Sequence, residues 1–219
     1  MIFERILNFL FPEKCIGCGR DGVLVCEKCL SGIKLLDFQE NPFELIVASR
    51  YDKNGLLKKL ITTYKYKFSE ELRCVLAGLL AAQVQRLYKF FEQNWAEALV
   101  VPVPLHSRRL RSRGYNQSEL LAYSLLKNPI LAGINWKISN CLKRKIYTVP
   151  QVKLGRAERL VNLKGAFECE NFKIINGKKI ILIDDVCTTG ATLSECKKVL
   201  IAAGAAKVTA LVLAHGDGS

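Results

Sequence analysis

The chain has 219 residues and a net charge of +13, from 33 Lys and Arg against 20 Asp and Glu. Half of the residues are hydrophobic, which excludes wholesale disorder and allows one medium domain plus a small module. The basic excess favours polyanionic partners, namely phosphorylated metabolites, nucleic acid or an anionic membrane face. No uncharged apolar run in the sequence approaches the length of a membrane span.

The first eleven residues, MIFERILNFLF, are apolar but include Glu4 and Arg5 and contain no small-residue cleavage site. They predict a short amphipathic helix that packs on the body of the protein, rather than a signal peptide. Peripheral membrane contact through this helix is left open.

Two Cys-x-x-Cys pairs follow, Cys15 with Cys18 and Cys26 with Cys29. Two such pairs in close succession predict a tetrahedral four-thiolate site for one structural Zn²⁺ per chain. The alternative is a pair of redox dithiols or disulfides, although a redox motif usually occurs once. A metal site in place of disulfides indicates a reducing, cytoplasmic location. The other cysteines, Cys187 among them, are expected to fill space as small hydrophobes.

The rest of the chain alternates between apolar strands and helices. The predicted strands cover residues 43–51, 97–104, 136–142, 178–185 and 207–215, and the predicted helices cover residues 56–68, 70–91, 118–126 and 192–205. Residues 105–117 are predicted as a basic loop and residues 143–164 as a long polar connection. This alternation predicts an α/β fold with a parallel sheet covered by helices on both faces. We divide the chain into a zinc-binding module over residues 1–45 and a larger domain over residues 46–219.

The segment IILIDDVCTTGATL, residues 180–193, joins a buried strand to a helix. Asp184 and Asp185 stand at the end of the strand, which is where open parallel sheets bind their ligands. The Thr-Thr-Gly turn then leads into a helix N-terminus, whose free N–H groups favour a phosphate. The segment is neither a Walker loop nor a dinucleotide-binding glycine motif. Carboxylates beside a phosphate cradle predict a sugar phosphate, with its ribose hydroxyls on the acids and its 5′-phosphate in the turn.

This segment closely resembles the phosphoribosyl-pyrophosphate (PRPP) signature of the type I phosphoribosyltransferases. Two further segments, VPVPLHSRRLRSRGYNQSELLA (101–122) and VPQVKLGRAERLVNLKGAF (149–167), together with the four-cysteine module, resemble the competence protein ComF family. That resemblance covers essentially the whole chain. It implies a type I phosphoribosyltransferase-like fold and a part in DNA uptake during natural transformation.

The resemblance also implies roles for three groups of residues. Mg²⁺-PRPP would be bound by the signature, with the two acids as the catalytic pair: Asp184, Asp185, Val186, Cys187, Thr188, Thr189, Gly190, Ala191 and Thr192. The pyrophosphate loop would comprise Arg108, Arg109, Arg111, Arg113 and Gly114. A flexible lid would comprise Lys143, Arg144, Lys145, Lys153, Arg156 and Arg159. The basic loop supports the second group independently, because guanidinium groups suit phosphate oxygens.

Two functions fit these features. The first is a PRPP-binding ComF-family protein of DNA uptake, which handles single-stranded DNA with a competence helicase or another uptake protein. The alternative is an active phosphoribosyltransferase of nucleotide or base metabolism, whose acceptor the sequence does not identify. We favour the first and expect DNA to bind away from the PRPP cleft, along the zinc module and near Lys58, Lys59, Lys65 and Lys67.

Overall fold

The computed structural model describes residues 12–37, 45–52, 54–147 and 163–216. Its strands are β1 (Leu45–Arg50), β2 (Leu99–Pro102), β3 (Lys137–Ile138), β4 (Leu142–Arg144), β5 (Phe167–Cys169), β6 (Lys179–Cys187) and β7 (Lys207–His215). Its α-helices are α1 (Glu27–Ser31), α2 (Leu56–Tyr66), α3 (Glu70–Arg86), α4 (Tyr88–Trp95), α5 (Ser107–Arg113), α6 (Gln117–Leu126), α7 (Phe172–Ile175) and α8 (Ala191–Ala202).

Five of these strands form one parallel sheet in the order β1-β7-β6-β2-β3. The central pair, β6 and β7, is in register from Lys179 opposite Lys207 to Cys187 opposite His215. Both strands are buried over most of their length, as their nearly continuous apolar sequences predict for a sheet covered on both faces. The predicted α/β class with a parallel sheet is therefore confirmed.

Side chains alternate along β6 between two hydrophobic cores. Ile181 and Ile183 pack in the core that contains helices α2, α3 and α6. Ile180 and Leu182 pack in a second core, which contains Cys196 and other residues of α8. Because a strand presents successive side chains to opposite faces, each face of the sheet receives its own layer of helices.

A short antiparallel hairpin of β4 and β5 lies outside the main sheet. The single strand predicted over residues 136–142 is thus divided, with Lys137–Ile138 in the sheet and Leu142 already in the hairpin. Residues 148–162, most of the predicted polar connection, lie outside the described residues. The predicted N-terminal helix over residues 1–11 also lies outside them.

Two predicted elements differ from the structure. The helix predicted over residues 70–91 is divided into α3 and α4 at Leu87, whose backbone (φ −101°, ψ 24°) leaves the helical region. The predicted basic loop contains a helix, α5. The ring Nδ1 of His106 accepts a hydrogen bond from the N–H of Arg108 at its start (3.1 Å), and Gly114 ends it with a left-handed backbone (φ 84°).

The four-cysteine region packs directly on the larger domain. Leu24 belongs to the same core as α2 and α3, and its N–H donates to Glu71 Oε1 of α3 (3.2 Å). Gln83 Nε2 of α3 donates to the carbonyl oxygen of Leu36 (2.9 Å). The division at residue 45 remains a prediction. None of the helices in the described part of the chain combines the length and apolar character needed to cross a membrane.

Candidate functional site

The sulfur atoms of Cys15, Cys18, Cys26 and Cys29 all lie within 4.8 Å of one another. The N–H of Cys26 donates to Cys15 Sγ (3.3 Å), and backbone hydrogen bonds from Cys26 and Cys18 lower the pKa of Cys15 to about 6. A Cβ on Gly17 would lie 2.6 Å from Cys29 Sγ, so the close approach of this thiol favours glycine. A side-chain hydrogen bond with Cys26 raises the pKa of Cys29, so the case for a metal rests on the four sulfur atoms that the fold brings together, the ligand set of a tetrahedral site.

A second site is a cleft of about 870 Å³ beyond the carboxyl ends of β2 and β6. All nine residues of the predicted PRPP signature, from Asp184 to Thr192, line this cleft. The strand predicted over residues 178–185 ends at the second acid, whereas β6 continues past both acids to Cys187. The reason is that β7 pairs with β6 along this whole length, ending with His215 opposite Cys187.

The two acids have different partners. Ser118 Oγ donates to Asp184 Oδ1 (2.8 Å), which also accepts the N–H of Asp185 (2.9 Å). Lys65 Nζ lies 3.0 Å from Asp185 Oδ1. Lys65 comes from α2 and Ser118 from α6, so three separate parts of the chain meet at the acids. Ser118 was not predicted as a site residue, and Lys65 was predicted to lie on a separate DNA surface. The structure corrects that placement, because Lys65 lines the cleft.

Burial and charge strongly perturb the protonation of this group of residues. Burial raises the pKa of Asp184 to about 7, and the negative charge of Asp185 adds to the effect, whereas the Ser118 hydrogen bond and Lys65 act against it. Burial alone would lower the pKa of Lys65, but the charges of Asp185 and Asp184 outweigh burial and raise it. The cleft therefore holds a carboxyl group that takes up or releases a proton near neutral pH.

The Thr-Thr-Gly turn connects β6 to the N-terminus of α8. Gly190 precedes the helix with a left-handed backbone (φ 75°), a conformation that favours glycine. Thr189 Oγ1 accepts a hydrogen bond from the N–H of Ala191 (3.4 Å). The first N–H groups of a helix have no partners within the helix itself, so the turn provides a donor-rich end to the cleft. Cys187 is buried, which raises its pKa to about 11, as expected for a space-filling thiol.

Two of the four predicted pyrophosphate-loop arginines line the cleft. These are Arg109 and Arg113, which are four residues apart on α5 and so share one face of the helix. Arg108 and Arg111 are not in its lining, and the Arg108 Cζ atom instead lies 4.8 Å from the ring centroid of Tyr147. Gly114 is the left-handed residue that ends α5.

The predicted lid residues that the structure describes are divided between two sides of β4. Arg144 lines the cleft, and burial followed by the positive charge of Arg109 lowers its pKa. Lys143 Nζ lies 3.8 Å from Glu170 Oε2, and Lys145 pairs with Glu168, so both lysines interact with acids on or beside β5. The remaining predicted lid residues, Lys153, Arg156 and Arg159, lie outside the described residues.

The parallel sheet and the cleft define a phosphoribosyltransferase-like protein, and a model of the phosphoribosyl transferase domain matches residues 142–218. Competence protein F of Haemophilus influenzae is 30% identical over 207 residues, which cover 94% of this chain and 85% of that protein. DNA utilization protein YhgH of Salmonella typhimurium is 32% identical over 197 residues, which cover 89% of this chain and 80% of that protein. Competence protein ComFC of Bacillus subtilis is 30% identical over 171 residues, 75% of this chain and 62% of that protein. The chain belongs to the ComF family, as its motifs predicted.

Proposed function

We propose that the cleft binds Mg²⁺-PRPP and that the protein acts in DNA uptake. The observation that carries this proposal is the meeting of three kinds of group around one cleft. Two carboxyl groups lie beside a helix N-terminus, and three guanidinium groups, those of Arg109, Arg113 and Arg144, line the same space. This combination is suited to a sugar that carries a phosphate and a pyrophosphate.

Each part of PRPP has a corresponding group in this proposal. Asp184 and Asp185 accept hydrogen bonds from the ribose hydroxyls, and the turn at Thr188–Thr192 binds the 5′-phosphate. The three arginines bind the pyrophosphate, and bound Mg²⁺ supplies further neutralisation of its charge. Lys65, whose Nζ lies 3.0 Å from Asp185 Oδ1, holds that carboxylate in place.

The four-cysteine cluster is proposed to hold one structural Zn²⁺. Four thiolates form a closed tetrahedral site with no position for a substrate, so the metal stabilises the fold instead of reacting. None of the nine cysteines is in a disulfide, which suits a reducing cytoplasm. The names of the relatives, competence protein F and DNA utilization protein YhgH, support a part in the handling of incoming DNA. We further propose single-stranded DNA and an uptake helicase as partners of this protein, as the resemblance to the ComF family implies.

Calorimetric titration with Mg²⁺-PRPP tests the cleft. We expect the wild-type protein to bind and the double variant Asp184→Ala with Asp185→Ala to show no measurable binding while its circular dichroism is unchanged. Glu97→Ala is the matched control, since Glu97 is exposed just before β2, at the opposite edge of the sheet. Unchanged PRPP affinity in the folded double variant would contradict the site.

A second measurement separates binding from turnover. Pyrophosphate release is followed with Mg²⁺-PRPP and each of the common nucleobases in turn. Release that depends on a base would favour the alternative, an active phosphoribosyltransferase of base metabolism. PRPP binding without base-dependent release supports a binding role in DNA uptake.

A further inference from the structure

Two aromatic side chains project into solvent at one rim of the cleft. Tyr66 is 82% exposed and also lines the cleft, and Phe68, two residues later, is 55% exposed. We call this pair the aromatic rim. Large apolar rings are normally buried, so two neighbouring exposed rings at the mouth of a binding cleft point to a ligand with planar groups.

One ring of the aromatic rim, Phe68, is held in place by the core. The ring of Phe68 packs edge-on against Tyr115 (5.4 Å between centroids), and Tyr115 packs against Tyr64 (6.0 Å), which is fully buried. The hydroxyl of Tyr115 also donates to the carbonyl oxygen of Tyr64. A ring supported in this way loses little conformational entropy when it binds a ligand.

One extended residue, Lys67, separates the two rings in the chain. Helix α2 ends at Tyr66, and Lys67 has an extended backbone (φ −125°, ψ 113°). An extended residue separates its two neighbours by roughly 7 Å and directs their side chains to the same face. Two rings at this spacing suit successive bases of one strand, whereas a single free base needs only one ring.

Positive charge lies beside the rings. The guanidinium carbon of Arg113 is 5.9 Å from the ring centroid of Tyr66, and Arg111 and Lys67 are exposed nearby in the same two segments. Stacking rings next to a basic track are the features that proteins use to bind single-stranded nucleic acid without sequence preference.

We propose that Tyr66 and Phe68 stack successive bases of single-stranded DNA whose phosphates follow the basic residues of α5 and Lys67. This inference rests on the proposed function in DNA handling and adds the surface and the kind of contact. It places DNA at the mouth of the PRPP cleft, not on a separate face of the protein.

Fluorescence polarisation measures the binding of a labelled oligothymidylate, about 20 nucleotides long, and tests the aromatic rim. Stacking contributes about 1–3 kcal/mol per base, so we expect Tyr66→Ala and Phe68→Ala each to weaken binding about tenfold. Tyr66→Trp and Phe68→Trp, which keep an aromatic ring, should bind within about twofold of wild type. Tyr123→Ala removes an exposed tyrosine of α6 that is outside the cleft lining and serves as the control. Unchanged affinity in both alanine variants would overturn the proposal.

Two further readouts separate stacking from charge and from misfolding. The logarithm of the affinity decreases linearly with the logarithm of the salt concentration. The steepness of this decrease should be unchanged in Tyr66→Ala and smaller by about 0.7 in Arg113→Ala, because only the second change removes a phosphate contact. An abasic oligonucleotide should bind wild type and Tyr66→Ala equally. A difference of tenfold that persists on the abasic strand would overturn base stacking.

PRPP titrations on the same samples keep the two proposals apart. If wild type binds DNA through the rim but shows no affinity for Mg²⁺-PRPP, the cleft assignment fails and the rim stands. If wild type binds PRPP but no DNA at low salt, the rim fails and the cleft stands. A third outcome concerns free adenine. If the PRPP complex of Tyr66→Ala no longer binds adenine but Tyr66→Ala binds the oligonucleotide as wild type does, the aromatic rim is an acceptor-base site and the proposal is overturned.

Discussion

At the scale of single residues, Asp184 has an environment that works against its own charge. Its pKa is raised from 3.8 to about 7, mainly by burial and then by the charge of Asp185. The folded protein therefore holds this proton more tightly than the unfolded chain does. Stability that depends on the neutral carboxyl group is present below about pH 4 and is lost as pH rises to about 7.

We predict that Asp184→Asn removes this pH dependence. The full shift would correspond to about 4 kcal/mol, and solvent access to the cleft reduces this, so we expect the variant to be more stable than wild type by on the order of 2 kcal/mol at pH 8. At pH 4 the two proteins should be equally stable, because the asparagine resembles the protonated acid. Urea denaturation at pH 4, 6 and 8 measures the difference, and a constant difference across this range would contradict the predicted pKa.

The residues that the sequence could predict are those that stand together in the chain. The signature from Asp184 to Thr192 is one continuous run whose residue types and order indicate a sugar-phosphate site. Lys65 and Ser118 carry no such local signal, because they reach the acids only when α2 and α6 pack on the sheet, and Ser118 is 66 residues from Asp184. The separation of Arg109 and Arg113 from Arg108 and Arg111 likewise depends on the helix α5, in a segment that was predicted to be a loop.

At the scale of elements, the hydrophobic pattern of the sequence predicted the elements that are stabilised by packing in the core. It did not predict the helix α5, which is stabilised at its ends by capping. The apolar runs of β6 and β7 predict buried strands, and in the structure these two strands lie in the interior of the sheet. The sequence of α5, SRRLRSR, contains a single apolar residue, so it has no amphipathic pattern to detect. The helix is capped instead by His106 at its N-terminus and by Gly114 at its C-terminus.

The contact between the four-cysteine region and α3 carries a prediction about metal removal. Because Leu24 is part of the main core and bonds to Glu71, loss of the metal should expose backbone amides both in residues 12–37 and at the start of α3. The amides of β6 and β7 should remain protected. Hydrogen exchange before and after chelation tests this, and exchange confined to residues 12–37 would show that the module is independent.

Elemental analysis provides the matching test of composition. We predict one zinc per chain in wild type and a loss of zinc in Cys18→Ser. Cys74→Ser is the control, since Cys74 is also exposed but belongs to α3 and lies outside the cluster. Protein purified without chelator that contains no metal would contradict the prediction.

At the scale of the whole molecule, a ligand that binds only the folded protein must stabilise it. We predict that Mg²⁺-PRPP at 100 times its dissociation constant raises the free energy of unfolding by about 2.7 kcal/mol. The double variant Asp184→Ala with Asp185→Ala should show no such increase. Thermal unfolding with and without Mg²⁺-PRPP measures the effect, and Mg²⁺ with inorganic pyrophosphate is the control for nonspecific anion stabilisation. An equal shift in the double variant would place the binding elsewhere.

The ion pair between Lys65 and Asp185 has a consequence for how two ligands communicate. Lys65 is bound to a cleft carboxylate, and the next residue in the chain is Tyr66 of the aromatic rim. A ligand that shifts Lys65 therefore acts on the adjoining ring, and the two binding equilibria form a thermodynamic cycle. Whatever factor PRPP applies to the affinity for DNA, DNA must apply the same factor to the affinity for PRPP. We predict a factor different from one in wild type and closer to one in Lys65→Met, with both legs of the cycle measured by titration; Arg113, which is proposed to contact both ligands, keeps part of the coupling.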